Sequence, residues 1–494
     1  MIYHDIASLV EVAIKHDLIE EADRIYTRNQ ILAQLKLNTW PTDVSDISND
    51  SIPHLLDKII QYAIESSIIE DVFDEKEVLK ANIMNCFIDL PSTINTKFYN
   101  KYERSPKEAT DYFYQLSMNS NYIQMEQIQK NIHFKTSTSY GDIEITINLS
   151  KPEKDPEQIK REREMKHLQI DYPKCLLCIE NEGYEGRTGY PARANHRIIK
   201  VPLLDENWYL QYSPYIYYNE HSILLCETHR DMKIDRDTFE RLLLFVEKFP
   251  HYFIGSNADL PIVGGSILSH DHYQAGRHSF AMESAESLFP FELNQFEEIR
   301  AAVLKWPLSV IRLTGKNRDE LVEASLLILT AWQNYSDKES GIIAFTNDIP
   351  HNTITPIARM RNEKFEVDLV LRNNRTTEAY PLGIFHPHED VQHIKKENIG
   401  LIEVMGLAVL PARLKDELEE IRKYVLDEQS NVPAYHQDWA EELKGKYDPQ
   451  KDVNYFIEQE LGNKFIRILE DSGVFKQDIK GLTAFKRFIY TLKK

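Results

Sequence analysis

Pro261-Ile-Val-Gly264-Gly265-Ser266-Ile-Leu-Ser-His270-Asp271-His272-Tyr273-Gln274 is the stretch on which the reading of this chain turns. An apolar run with two adjacent glycines ends in two histidines and a glutamine at alternating positions. Successive side chains of an extended segment point to opposite faces. The spacing therefore predicts a strand that lines one face with His270, His272 and Gln274. Three convergent polar groups in such a strand are costly to bury without partners. The arrangement points to a site that binds a metal, cradles a phosphate or attacks one.

Upstream, Cys175-Leu-Leu-Cys178 precedes the glycine-containing loop Glu182–Arg193 and Asn195. A single Cys-x-x-Cys in a reducing compartment is either a redox motif or half of a tetrahedral zinc site. No βαβ context accompanies it, and His229 and His270 are the candidates for two further zinc ligands. Next, Tyr212–Cys226 is aromatic and β-branched enough to predict a hairpin, turned at Asn219-Glu220. The following helix is expected to be capped by Asp237 with Glu240, to bury Phe239, Leu242, Leu243 and Val246, and to end at Pro250.

The chain before this unit has a different period. Ile6, Leu9, Val10, Ala13 and Ile14 follow an amphipathic helical stripe, and Ile31–Leu37 and Leu55–Ile69 repeat it around a turn-rich loop from Pro41 to Pro53. Further helix runs from Val78 to about Asn131, with breaks at Pro91 and Pro106. Alternation of Ile143, Ile145, Ile147 and Leu149 with polar residues then predicts a half-buried strand, where an α+β region begins. The charged segment Lys151–Lys166 reads as a solvated loop and helix.

Downstream the pattern echoes itself. Helix Leu321–Trp332 is followed by strands at Gly341–Phe345 and over Phe365, Val367, Leu369 and Leu371. Pro381-Leu-Gly-Ile-Phe-His386-Pro-His388 again ends an apolar strand in two alternating histidines, with Asp390 where the first copy has Gln274. This is the pattern of an internal duplication. Phe465–Leu469 and Phe485, Phe488 and Ile489 read as packing helices. Three domains are expected: 1–135 helical, 136–300 and 301–494 α+β, each within ordinary domain size.

The 494 residues carry a net charge of −20, which argues against a duplex nucleic-acid partner. With 42% hydrophobic and 28% charged residues, and no apolar run of spanning length, the composition is that of a soluble cytoplasmic protein and not of a membrane protein. Four cysteines are too few for a disulfide framework.

These motifs, with Ser213-Pro-Tyr-Ile-Tyr-Tyr-Asn-Glu-His221 and Gly383-Ile-Phe-His-Pro-His388, closely resemble the histidine-triad-type nucleotidyltransferases over nearly the whole chain. The nearest resemblance is to the class II galactose-1-phosphate uridylyltransferases of bacteria. It implies an α+β fold of two tandem histidine-triad-like units with antiparallel sheets, preceded by a helical N-terminal domain. The implied activity is exchange of UMP between UDP-glucose and galactose 1-phosphate, through a ping-pong mechanism and a covalent uridylyl-histidine, in a cytoplasmic homodimer. Class I enzymes carry His-Pro-His-x-Gln, and Asp271 stands here for the central Pro. By that match His272 is the nucleophile, Gln274 holds the phosphoryl oxygens, and Cys175, Cys178, His229 and His270 bind zinc. Asn195, Asn257, Gly265, Ser266 and Glu403 are the implied substrate contacts. A second metal would draw on Glu283, His351, His386 and His388. The sugar-contacting Gln that class I places six residues after its Glu is absent, Val409 standing there. A dinucleoside-polyphosphate phosphorylase of the same superfamily and a non-catalytic zinc-binding protein are the alternatives. Gln274, a poor zinc ligand in phase with both histidines, speaks against the latter.

Overall fold

The structure is a computed structural model describing residues 1–44, 47–150 and 171–493. The segment Lys151–Lys166 lies outside the described residues. The chain divides into two compact units, 1–130 with 150–216 and 222–229, and 131–149 with 217–221 and 230–494.

The first unit opens with helices α1 (Ile2–Lys15), α2 (Arg24–Gln34), α3 (Ile52–Glu65), α4 (Phe73–Asn85), α5 (Pro91–Tyr102) and α6 (Pro106–Asn119). The expected stripe of α1 is buried at Ile6, Leu9, Val10 and Ala13, against Ile31 of α2 and Leu55, Ile59 and Ala63 of α3. Pro91 and Pro106 stand at the first helical position, where a missing N–H costs nothing.

Two strands, β1 (Ile132–Thr138) and β2 (Gly141–Ile147), then belong to the second unit. The first unit resumes with the antiparallel run β3 (Ile199–Leu203), β4 (Glu206–Tyr212) and β5 (Ser222–Cys226). The hairpin is thus β4–β5, with Tyr212 opposite Ser222, and not a turn at Asn219-Glu220. Residues 213–221 form its connection, because Tyr217–His221 packs within the second unit.

In the second unit β2 is the central strand of a three-stranded sheet, antiparallel to β1 and parallel to β15 (Leu407–Leu410). The expected half-buried alternation is therefore replaced by burial on both faces from Ile143 to Ile147. Glu144 is tolerated there because Lys135 and His278 pair with its carboxylate at 3.2 and 3.1 Å.

The main sheet of this unit uses β6 (Phe253–Gly255), β7 (His272–Gly276), β8 (Ser287–Phe291), β9 (Arg300–Leu304), β10 (Val310–Gly315), β13 (Asn352–Arg361) and β14 (Lys364–Asn373). A small hairpin, β11 (Phe345–Thr346) with β12 (Ile349–Pro350), stands apart, so only the end of the strand expected at Gly341–Phe345 forms. The order β7-β6-β13-β14-β10-β9-β8 is antiparallel throughout. Helices Arg236–Lys248 and Arg318–Gln333 pack on it and on one another. Asp235 rather than Asp237 caps the first of these, in a capping box with Thr238. Asp237 lies inside the helix and faces Arg241 at 3.6 Å.

Both faces of β13 and β14 are covered, yet cross-strand charges sit at their centre. Asp368 receives Arg312 Nε and Nη2 at 2.6 and 2.8 Å and Arg359 Nη2 at 2.7 Å, while Arg359 Nη1 reaches Glu366 at 2.6 Å. Burial alone would raise the Asp368 carboxyl, but Arg359 and Arg312 together hold it down to about 2. A carboxylate depressed below its unfolded value near 3.9 stabilises the fold above that pH and stops doing so as pH falls toward 2. Asp368→Asn is expected to cost about 3 kcal/mol at pH 7, since it leaves two buried guanidiniums short of a counter-charge. In urea titrations the gap to wild type should narrow as pH drops from about 4 to 2. Equal stabilities at pH 7 would refute this account.

Candidate active site and metal-binding group

The run from Pro261 to His270 is not the expected strand but a succession of turns and bends, and the extended segment begins only at His272. Two features turn the chain. Ile262 has φ of 72°, and a Cβ at Gly264 would lie 2.5 Å from the Ala258 carbonyl oxygen. The run therefore folds back on residues 258–260 and is tied down by N–H donation from Met232 to the Leu268 carbonyl and from Asp271 to the Arg230 carbonyl, both 2.8 Å. Asp271, which replaces the Pro of the class I motif, is buried and faces Arg230 Nη2 at 3.2 Å.

His272 and Gln274 sit two apart on β7 and share a face. His272 is 7% exposed, and its Nδ1 lies 2.8 Å from the His270 carbonyl. A carbonyl only accepts, so Nδ1 carries the proton and Nε2 keeps the lone pair. Burial pushes the imidazole down to about 4, leaving it neutral. The Gln274 amide oxygen is buried without a hydrogen-bond partner.

Three of the five implied substrate contacts come together in the second unit. A Cβ at Gly265 would lie 2.8 Å from Asn257 Nδ2, so the glycine lets the loop come close to this amide. Asn257 Oδ1 accepts the Leu401 N–H at 2.9 Å, and Glu403 Oε2 accepts the Gly400 N–H at 3.2 Å. Ser266 is exposed on the same loop. Asn195, in the first unit, is buried and donates its amide to the Ser120 carbonyl at 3.0 Å.

Sequence reasoning attached no role to Lys395, whose Nζ lies 2.9 Å from Glu403 Oε1, nor to Tyr217 and His221. His221 is 4% exposed, its ring 5.5 Å from Tyr217 and 4.5 Å from Tyr218, and neither ring nitrogen has a partner. The signal available for it was the aromatic segment that His221 closes.

Cys175, Cys178 and His229 lie together in the first unit and could hold a metal ion, and His270 is buried in the second. In the first unit, Cys175 Sγ and Cys178 Sγ are 3.5 Å apart, and Cys178 Sγ is 3.2 Å from His229 Nδ1. Two thiolates bound tetrahedrally at about 2.3 Å stand roughly 3.8 Å apart, so the donor set and its spacing fit zinc with a small expansion. The second metal set does not assemble among the described residues. Glu283 pairs with Arg361 at 3.0 Å, and His351 bonds Asn374 and Thr346 at 2.8 and 2.9 Å. Residues 381–388 form turns rather than a strand, and Gly383 takes a φ of 126°, which an L side chain rarely adopts. His386 is buried there. His388 donates Nε2–H to the Ile384 carbonyl at 3.0 Å and lines a cleft of about 1380 Å³ with Tyr380, His393 and Lys464.

An uncharged imidazole with a lone-pair nitrogen, on the same strand face as an amide, has the chemistry of a group-transfer enzyme. Residues 17–231 match the family model described as galactose-1-phosphate uridyl transferase, N-terminal domain, and residues 245–441 match its C-terminal domain. The galactose-1-phosphate uridylyltransferase of Clostridium perfringens is 55% identical over 489 residues, covering 98% of each chain. That of Fusobacterium nucleatum is 51% identical over 498 residues, covering 97% of each. Among solved structures, yeast Ap4A phosphorylase aligns with a TM-score of 0.33 at 12% identity, over 67% of this chain and 90% of its own. The chain belongs to the galactose-1-phosphate uridyl transferase family.

Proposed function

We propose that the protein exchanges UMP between UDP-glucose and galactose 1-phosphate through a covalent intermediate on His272. The observation that carries the reading is the state of that imidazole: neutral, with Nδ1–H donated to the His270 carbonyl and Nε2 left as the nucleophile. Nε2 attacks the α-phosphorus of UDP-glucose, a P–N bond forms, and the P–O bond to the β-phosphate breaks, releasing glucose 1-phosphate. A phosphate oxygen of galactose 1-phosphate then attacks the uridylyl phosphorus, breaking the P–N bond and giving UDP-galactose. Both leaving groups depart without needing a proton from the protein. The catalytic contribution is accordingly positioning and charge stabilisation.

In this reading Gln274 donates its amide N–H to a phosphoryl oxygen. Asn257, Gly265, Ser266 and Glu403 contact substrate, Lys395 orients Glu403, and Asn195 acts through the loop it anchors. Zinc on Cys175, Cys178, His229 and His270 would supply a cross-link that fixes the residue whose carbonyl orients His272. The domains expected at 1–135, 136–300 and 301–494, and a cytoplasmic homodimer with no nucleic acid or membrane partner, are part of the same reading. Among the described residues no helix is long and apolar enough to cross a membrane.

Enzyme mixed with UDP-glucose alone is expected to release glucose 1-phosphate in a burst equal to the concentration of active sites. Mass spectrometry should find an acid-labile uridylyl group on His272, and initial rates should give parallel double-reciprocal lines. Intersecting lines with no burst would require direct transfer between two bound sugars. No adduct is expected on His386 or His388, because Asp390 stands at the alternate position where the first copy has Gln274.

A further inference from the structure

His221 is the buried polar group the transfer reaction leaves unused. Its two ring nitrogens have no hydrogen-bond partner, and neither does the Gln274 amide oxygen. Unsatisfied buried groups are uncommon in folded proteins, and each calls for a partner or a role. Burial pushes the His221 imidazole down to about 4, and the Gln274 side chain opposes that shift, so the amide faces the ring.

The segment carrying His221 is fastened to the residues just beyond Gln274. Tyr218 Oη donates to the Ala275 carbonyl and Asn219 Nδ2 to the Arg277 carbonyl, both at 3.1 Å, and the fully buried Glu220 pairs with Arg277 and accepts from Tyr252. A Cβ at Gly276 would come within 2.7 Å of Tyr218 Cε2, so only glycine lets this segment lie so close to β7. These ties hold the segment that ends in His221 alongside β7, beside Gln274.

We propose that His221 is a positioning residue for uridylyl transfer, its ring N–H holding the Gln274 amide oxygen so that the amide N–H₂ is turned toward the transferred phosphoryl group. The proposal rests on the transfer role given above to His272 and Gln274. A glutamine side chain can present either end to a ligand, and the wrong end would set an oxygen against the phosphoryl oxygens. A neutral imidazole has one N–H, and an amide oxygen can only accept it, so the pair can close in one sense only. Gln274 is half-exposed with its oxygen as the buried end, the orientation this requires.

His221→Phe keeps an aromatic ring beside Tyr217 and Tyr218 and removes both nitrogens. Single-turnover uridylylation by UDP-glucose is expected to slow about 10- to 100-fold, with UDP-glucose affinity changed less than about threefold. In a Gln274→Ala background the same substitution should slow the reaction less than about twofold, because the group it positions is gone. His221→Gln, which restores an N–H donor, should recover part of the rate. The same slowing by His221→Phe with and without Gln274, or an unchanged rate in the single variant, would overturn the role of His221. Absence of any uridylyl-His272 in the wild-type enzyme would instead overturn the transfer reaction on which it rests. If His221→Phe does not fold, His221→Leu, which also removes both ring nitrogens, gives the same coupling test against Gln274→Ala.

Discussion

Replacing His272 by Asn is expected to abolish uridylyl transfer, lowering turnover by at least about three orders of magnitude, as loss of a covalent nucleophile does. The asparagine amide can still donate to the His270 carbonyl that now receives Nδ1–H at 2.8 Å, so the local fold has a substitute bond. It has no lone-pair nitrogen with which to attack phosphorus. The position is nearly buried, so the smaller side chain should cost about 1 kcal/mol of stability. The diagnostic result is a folded variant that binds UDP-glucose, forms no adduct and releases no glucose 1-phosphate burst. Substantial residual turnover would remove His272 from the nucleophile's role.

Cys175→Ser should lower zinc content from about one ion per chain to near zero and thermal stability with it. A structural zinc site contributes its binding free energy directly to folding, and a loss on the order of 5 kcal/mol is expected. For a chain of this length that corresponds to a fall in Tm of about 5 °C. Chelation of the wild-type enzyme should reproduce the shift, and readdition of zinc should reverse it. Freshly purified, fully active enzyme without zinc would leave Cys175 and Cys178 as a thiol pair with no metal role.

By itself the sequence determined the class of fold and the family. The 3.6-residue stripe of Ile6, Leu9, Val10 and Ala13 and the prolines that start α5 and α6 are local properties, and they survive in the structure unchanged. The alternation from Phe365 to Leu371 likewise lies within β14. The alternating His-x-His-x-Gln and the Cys-x-x-Cys carried the family resemblance, which full-length relatives bear out. Tertiary structure decided what those patterns mean in space. Apolar content suggested strands at Pro261–His270 and Pro381–His388, but a side chain at Gly264 would strike the Ala258 carbonyl, Gly383 takes a φ of 126°, and both runs fold into turns. The alternation of β2 concealed that β1 and β15 flank it and that both of its faces are covered, which places Glu144 in the interior. The proximity of Asn257 to residues 400–403, and the fastening of residues 218–220 to the end of β7, join residues separated by tens to well over a hundred positions. Periodicity reports how a segment faces its surroundings; which segment supplies those surroundings is set by the packing of the whole chain.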